Sequence, residues 1–191
     1  MSDDASFAQL VSLACHDVRT PLATVHGFAK TLERTIELDA PADKYVEMIG
    51  LASTEMAELL DTLSVAARIE SGRYDPAIRS IDTLELAQHA QERLDGVGVR
   101  GEGTTIETDV EAVDRAVTSL VRCALRHGGL DEVVVVVDGV EIAVSPITPA
   151  SAPVVLGDDL RDLRAAVAVR VIRALGGDVR VDDETLVARL G

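Results

Sequence analysis

The chain has 191 residues, with 33 acidic against 18 basic side chains and a formal net charge of −15. That length allows one or two domains with a real core, and an apolar content of 47% excludes disorder. A polyanion of this size repels phosphate backbones, which excludes nucleic acid as a partner.

No apolar run reaches the ~18 residues of a membrane span. The acidic start Met1-Ser2-Asp3-Asp4 lacks the basic flank of a signal peptide. Two cysteines, with no CxxC and no Cys/His cluster, predict neither a disulfide framework nor zinc. The expectation is a soluble cytoplasmic protein with reduced thiols, no cofactor, no metal and no membrane contact. Aromatic residues are 2%, so Val, Leu, Ile and Ala must fill the core.

The first 70 residues read as two long helices. Val11, Val18, Val25 and Leu32 repeat every seven residues, as do Cys15, Leu22, Ala29 and Ile36. This is an a/d seam. Asp39-Ala-Pro-Ala-Asp43 breaks it, and Pro41 suits the first turn of a second helix. That helix carries Tyr45, Ala52, Leu59 and Ala66, and Ile49, Met56 and Leu63, again seven apart; Ser71-Gly72 ends it. A hairpin of two ~30-residue helices is roughly 45 Å long. Alone it leaves half its seam wet, so a homodimeric four-helix bundle is expected.

After Gly72 the pattern changes. Leu84–Leu94 reads as a helix. Gly96, Gly98, Gly101 and Gly103 read as a loop, and Asp109–His127 as a second helix. Val133–Val137 reads as a strand buried on both faces, paired with Val140–Val144 across a turn at Asp138-Gly139. Prolines 146, 149 and 153 mark 145–157 as a loop. Leu160–Leu175 reads as a helix ended by Gly176-Gly177. Val179–Val181 and Thr185–Leu190 close the chain as a hairpin. The fold class is α+β, with residues 1–72 a helical hairpin and 73–191 a small α/β sandwich.

The first helix contains Cys15-His16-Asp17-Val18-Arg19-Thr20-Pro21-Leu22. A proline inside a heptad pattern removes a helical hydrogen bond and costs on the order of 3 kcal/mol. His16 follows the seam residue Cys15, so its imidazole should flank the bundle and face solvent. Thr20, four residues on, lies on the same side. An exposed neutral imidazole is a nucleophile near pH 7, and an acidic neighbour can hold one ring nitrogen protonated. Read without further context, His16 is also compatible with an ordinary surface histidine. Cys15 and Cys123 read as core fillers, His26 as a helix-surface residue and His127 as a helix-end cap.

His16-Asp17-Val18-Arg19-Thr20-Pro21-Leu22 resembles the phospho-acceptor motif of bacterial two-component sensor histidine kinases, His-(Glu/Asp)-x-Arg-(Thr/Asn)-Pro-Leu. Val25-His26-Gly27-Phe28-Ala29 and Ala67-Arg68-Ile69-Glu70-Ser71-Gly72 also look like that family. The resemblance implies that His16 accepts a phosphoryl group, that Asp17 is its acid/base neighbour, and that Thr20 helps place water for dephosphorylating a partner. Arg19 and Pro21 are supporting positions.

The second half is similar to the family's ATP-binding domain in layout and departs from it at the nucleotide boxes. Ser119 and Cys123 stand where the family has asparagines, the latter a magnesium ligand; a thiol is a poor ligand for a hard cation. Ser145, Ile147 and Pro149 replace an Asp-x-Gly-x-Gly motif, and Asp162 and Arg164 replace the second glycine box. An aspartate there repels phosphate, so ATP binding is not expected.

The combination resembles the ChpT-type histidine phosphotransferases. It implies phosphoryl transfer between receiver-domain aspartates by way of His16 without ATP, with response-regulator receiver domains as partners and an upstream hybrid kinase as a further one. Two readings stay open beside it. One is a sensor kinase core with an unorthodox ATP site, against which the lack of an input segment before residue 5 counts. The other is a non-catalytic dimeric scaffold binding a kinase or regulator.

Overall fold

The computed structural model describes residues 3–35 and 40–191. Met1 and Ser2 of the acidic start, Ile36 of the seam and Asp39 of the break lie outside the described residues. The chain divides into two compact units, Met1–Arg73 and Tyr74–Gly191. The architecture is α+β, two N-terminal helices followed by a mixed α/β unit.

Helix α1 spans Asp3–Thr35 and runs through Pro21; α2 spans Ala40–Glu70. On α1 the buried row is Ala8, Cys15, Leu22 and Ala29, seven residues apart. Val11 and Leu32 of the other expected row are half-buried, while Val18 and Val25 are exposed. On α2 the buried positions are Val46, Gly50, Ser53 and Ala67, with the Ser53 hydroxyl donating to the Ile49 carbonyl at 2.7 Å.

The α2 rows read from sequence are therefore not the ones buried inside the hairpin. Tyr45, Ile49, Ala52 and Met56 are exposed, and Leu59, Leu63 and Ala66 half-buried. The helix is apolar on more than one side, and a seven-residue period cannot say which side meets α1. The smaller row packs inward, where small side chains permit close approach. The helix ends as expected: Gly72 has φ +68, its N–H donates to the Ile69 carbonyl at 3.0 Å, and Arg73 N–H donates to the Arg68 carbonyl at 2.8 Å. This is a Schellman termination, which needs the left-handed residue that glycine supplies.

The second unit runs β1 (Ile78–Asp82), α3 (Thr83–Arg93), β2 (Val97–Gly103), β3 (Thr105–Asp109), α4 (Val110–Gly128), β4 (Val133–Gly139), β5 (Glu141–Ser145), α5 (Ala152–Val155), α6 (Leu163–Ala174), β6 (Asp178–Asp182) and β7 (Thr185–Arg189). Strands β1 and β3 form a two-stranded antiparallel sheet. The main sheet has the order β2-β4-β5-β7-β6, with β2 parallel to β4 and the other pairings antiparallel.

Four expectations change here. The glycine-rich stretch is strand β2, not a loop. Gly101 has φ +115, and a Cβ there would sit 2.0 Å from the Val137 carbonyl oxygen; the glycine marks close backbone approach. The valine strand is buried on one face: Val133, Val135 and Val137 are buried whereas Val134 is exposed, because only one face of the sheet is fully covered. The loop 145–157 holds the short α5, where Ser151 N–H donates to Thr148 Oγ1 at 3.3 Å and Thr148 N–H to Ser151 Oγ at 3.1 Å. The last long helix starts at Leu163 instead of Leu160, because Asp162 caps it.

Each long helix of this unit carries an aspartate at its N-terminus. Asp82 accepts from Leu84 N–H at 2.7 Å, Asp109 from Ala112 N–H at 3.2 Å and Asp162 from Ala165 N–H at 3.1 Å. Such caps satisfy orphan donors and oppose the positive end of the helix dipole. Asp114, nearly buried on α4, accepts from His89 Nδ1 at 2.8 Å and from Arg93, tying α3 to α4.

Gly101→Ala should destabilise the second unit by about 1–3 kcal/mol or more, since it adds left-handed strain to a backbone clash. A lower urea midpoint at unchanged slope would show this.

Candidate functional site

In the first unit His16 is exposed on α1, with 76% of its side chain accessible and Asp17 at 68%. Its Nδ1 lies 3.1 Å from Asp17 Oδ1. A carboxylate can only accept, so the hydrogen bond places the proton on Nδ1 and leaves the Nε2 lone pair available. The cause is positional. Cys15 is buried at 2% exposure, and one residue further along a helix turns the next side chain outward. Thr20 and Pro21 are exposed on the same helix. Arg19 donates to Asp61 Oδ1 at 2.6 Å, bridging α1 to α2 instead of reaching toward His16. Both partners are nearly half exposed, and such pairs contribute only about 0–1 kcal/mol.

His26 is half-buried, which corrects its reading as a surface residue. It lines a cleft of about 280 Å³ with Arg19, Leu22, Ala23, Ser53, Thr54 and Ala57, and its Nδ1 is buried without a hydrogen-bond partner.

In the second unit the positions matched to nucleotide boxes have other structural tasks. Ser119 is half-buried on α4 and Cys123 fully buried one turn on. Ser145 ends β5. Ile147 is buried, its N–H donating to the Glu184 carbonyl at 2.7 Å, while Pro149 is exposed. Asp162 is the α6 cap and Arg164 lies in the first turn of that helix. The Cys123 thiol is pushed up to about 12, first by burial and then by the Asp162 carboxylate, so it stays protonated.

His127, in the last turn of α4, places Nε2 3.2 Å from Asp162 Oδ2. Ligating atoms of Cys123, His127 and Asp162 lie within 4.8 Å of one another. The sequence reading found no Cys/His cluster, and this one corrects it. Half of its signal was visible, since Cys123 and His127 are four residues apart on one helix. The aspartate arrives only through the fold.

Comparisons with known proteins match the first unit by sequence family and most of the chain by fold. Residues 8–72 match the His Kinase A (phospho-acceptor) domain family. The sensor protein DivL of Caulobacter vibrioides is 31% identical over 78 residues, which is 41% of this chain and 10% of that protein. The match thus spans about a tenth of the length of that relative.

Among solved structures, full-length ShkA in complex with AMPPNP aligns with TM-score 0.70 at 18% identity, covering 94% of this chain and 44% of that one. The Acinetobacter baumannii histidine kinase AdeS aligns with TM-score 0.56 at 14% identity, covering 92% and 98%. At these identities the structural likeness speaks to the fold. Residues 8–72 are thus similar to the phospho-acceptor domain of histidine kinases, and the chain as a whole is similar in fold to solved histidine kinases. No helix among the described residues is long and apolar enough to cross a membrane.

Asp162→Ala should cost about 1 kcal/mol of stability through loss of the α6 cap, and Asp162→Asn distinctly less, because Asn caps nearly as well. Urea unfolding of the two variants side by side tests this.

Proposed function

We propose that the chain is a histidine phosphotransferase that passes a phosphoryl group between receiver-domain aspartates through His16, without binding ATP. The observation that carries the reading is the exposed His16 imidazole with its Nδ1 held by Asp17. In this mechanism Nε2 attacks the phosphorus of an aspartyl phosphate in line. The P–N bond forms as the P–O bond to the carboxylate breaks, and the released carboxylate leaves with the electron pair. Asp17 stabilises the resulting imidazolium through Nδ1–H. A second receiver aspartate then attacks the phosphohistidine, restoring neutral His16. Mg²⁺ comes with the receiver, and catalysis rests on positioning and charge neutralisation.

The fold family implies an ATP site with magnesium, and the residues at the matching positions suit neither. The Asp162 carboxylate occupies the start of α6, where a phosphate would need free N–H groups. A protonated, buried Cys123 stands where a hard cation needs oxygen. Residues 1–72 serve in this reading as the phosphotransfer hairpin and 73–191 as a degenerate ATP-binding-like domain offering a docking wall to receivers. An upstream hybrid kinase is the first phosphoryl donor, and the relay operates in the cytoplasm.

We further read the hairpin as half of a homodimeric four-helix bundle. Val18, Val25, Ile49 and Met56 are apolar side chains roughly half exposed on a single hairpin, and a second copy would cover them.

With a phosphorylated receiver and no ATP, label should appear on the wild-type chain and be absent from His16→Gln. Asp17→Asn should slow transfer by about 10²-fold, while Thr20→Ala spares transfer and slows receiver dephosphorylation. Labelling by ATP and Mg²⁺ alone would instead favour the sensor kinase core.

Val25→Glu combined with Ile49→Glu should convert a dimer to a monomer in sedimentation velocity, because four buried carboxylates at such an interface have no partners.

A further inference from the structure

Cys123, His127 and Asp162 form a compact group of three different donors in the second unit. Their ligating atoms lie within 4.8 Å of one another. Cys123 and His127 are four residues apart on α4, so both project from one helical face, a spacing that lets a helix supply two ligands to one ion. Asp162 comes from the start of α6, and its two oxygens are divided between two tasks. Oδ1 accepts from Ala165 N–H at 3.1 Å, which fixes the orientation of the carboxylate, while Oδ2 points to His127 Nε2 at 3.2 Å. That distance is close to the edge of a tetrahedron whose N and O ligands are each ~2.0–2.2 Å from the metal. The helical cap thus acts as the outer-shell support that metal-ligating carboxylates normally have.

We propose that Cys123, His127 and Asp162 bind a borderline-soft divalent transition-metal ion of the Zn²⁺ class, with the fourth position open to water. The donor set decides the chemistry. One sulfur, one imidazole nitrogen and one carboxylate oxygen suit Zn²⁺, whereas Mg²⁺ requires oxygen. Ion binding replaces the thiol proton, which leaves to solvent, and the cation then lies between the thiolate so formed and the carboxylate, screening one from the other. It also joins the last turn of α4 to the first turn of α6. This inference does not depend on His16, since no atom of the site belongs to the first unit; it shares Cys123 and Asp162 only with the argument against ATP binding.

The test uses the full chain, stripped with chelator and reloaded with Zn²⁺ or Co²⁺. One Zn²⁺ per chain should be retained after desalting, with a rise in Tm. Co²⁺ should show the intense visible bands of a tetrahedral site and a thiolate-to-cobalt charge-transfer band in the near ultraviolet. Cys123→Ser and His127→Ala should each lose the charge-transfer band or at least tenfold in affinity. Cys15→Ala should keep both. Asp162→Asn, which retains the cap, should weaken binding with the fold intact by circular dichroism. Absence of stoichiometric binding to the wild-type chain would overturn the proposal, as would a charge-transfer band that survives in Cys123→Ser and vanishes in Cys15→Ala.

Discussion

The burial of Cys15, Leu22 and Ala29 along one side of α1 sets the geometry of the first unit. An α-helix turns about 100° per residue, so seating Cys15 inside the hairpin sends His16 outward. Nothing about His16 itself drives it to the surface; the neighbouring thiol's packing does. Asp17 then rides on the same exposed side and reaches the ring nitrogen within hydrogen-bond distance. The imidazole is presented by a helix instead of a loop, a stiffer support for the transfer proposed above. Pro21, one turn beyond, lies within a helix that continues past it, so packing against α2 offsets the hydrogen bond the proline cannot make.

The second unit follows a different constraint. An acidic chain must place its carboxylates somewhere, and here three of them terminate helices. Asp82, Asp109 and Asp162 each satisfy an N-terminal donor and meet the positive end of a helix dipole. The same property that makes a helix start attractive to phosphate makes it attractive to the protein's own aspartates. Where Asp162 occupies α6, an incoming phosphate would displace a carboxylate already bound. The fold shared with histidine kinases is held by packing around Leu86, Leu120 and Ile142, all buried at 1% exposure or less.

The hairpin and the mixed unit also differ in how completely they bury their apolar surface. The sheet and its helices enclose most of their own core. The hairpin leaves Phe7, Leu10, Phe28, Tyr45 and Leu51 largely exposed. A monomeric protein rarely carries so much apolar surface on one helix pair without a partner, which agrees with the dimeric bundle proposed above.

The sequence alone determined the two long helices, the stop at Ser71-Gly72, the exposed place of His16 beside Asp17 and the α+β class, because heptad spacing, helix caps and a short motif are local signals. It misread β2, whose glycines resemble a loop until Val137 is brought against Gly101, and it did not show which face of α2 meets α1, because periodicity cannot choose between two apolar sides. The strand β1 and the pairing of β1 with β3 were missed as well, since Arg79, Ser80, Glu107 and Thr108 give those strands no apolar alternation. Only the tertiary structure decided that His26 lines a cleft and that Asp162 meets His127 and Cys123. Asp162 lies thirty-five positions from His127, and contacts at such range depend on how helices dock, which no local pattern encodes.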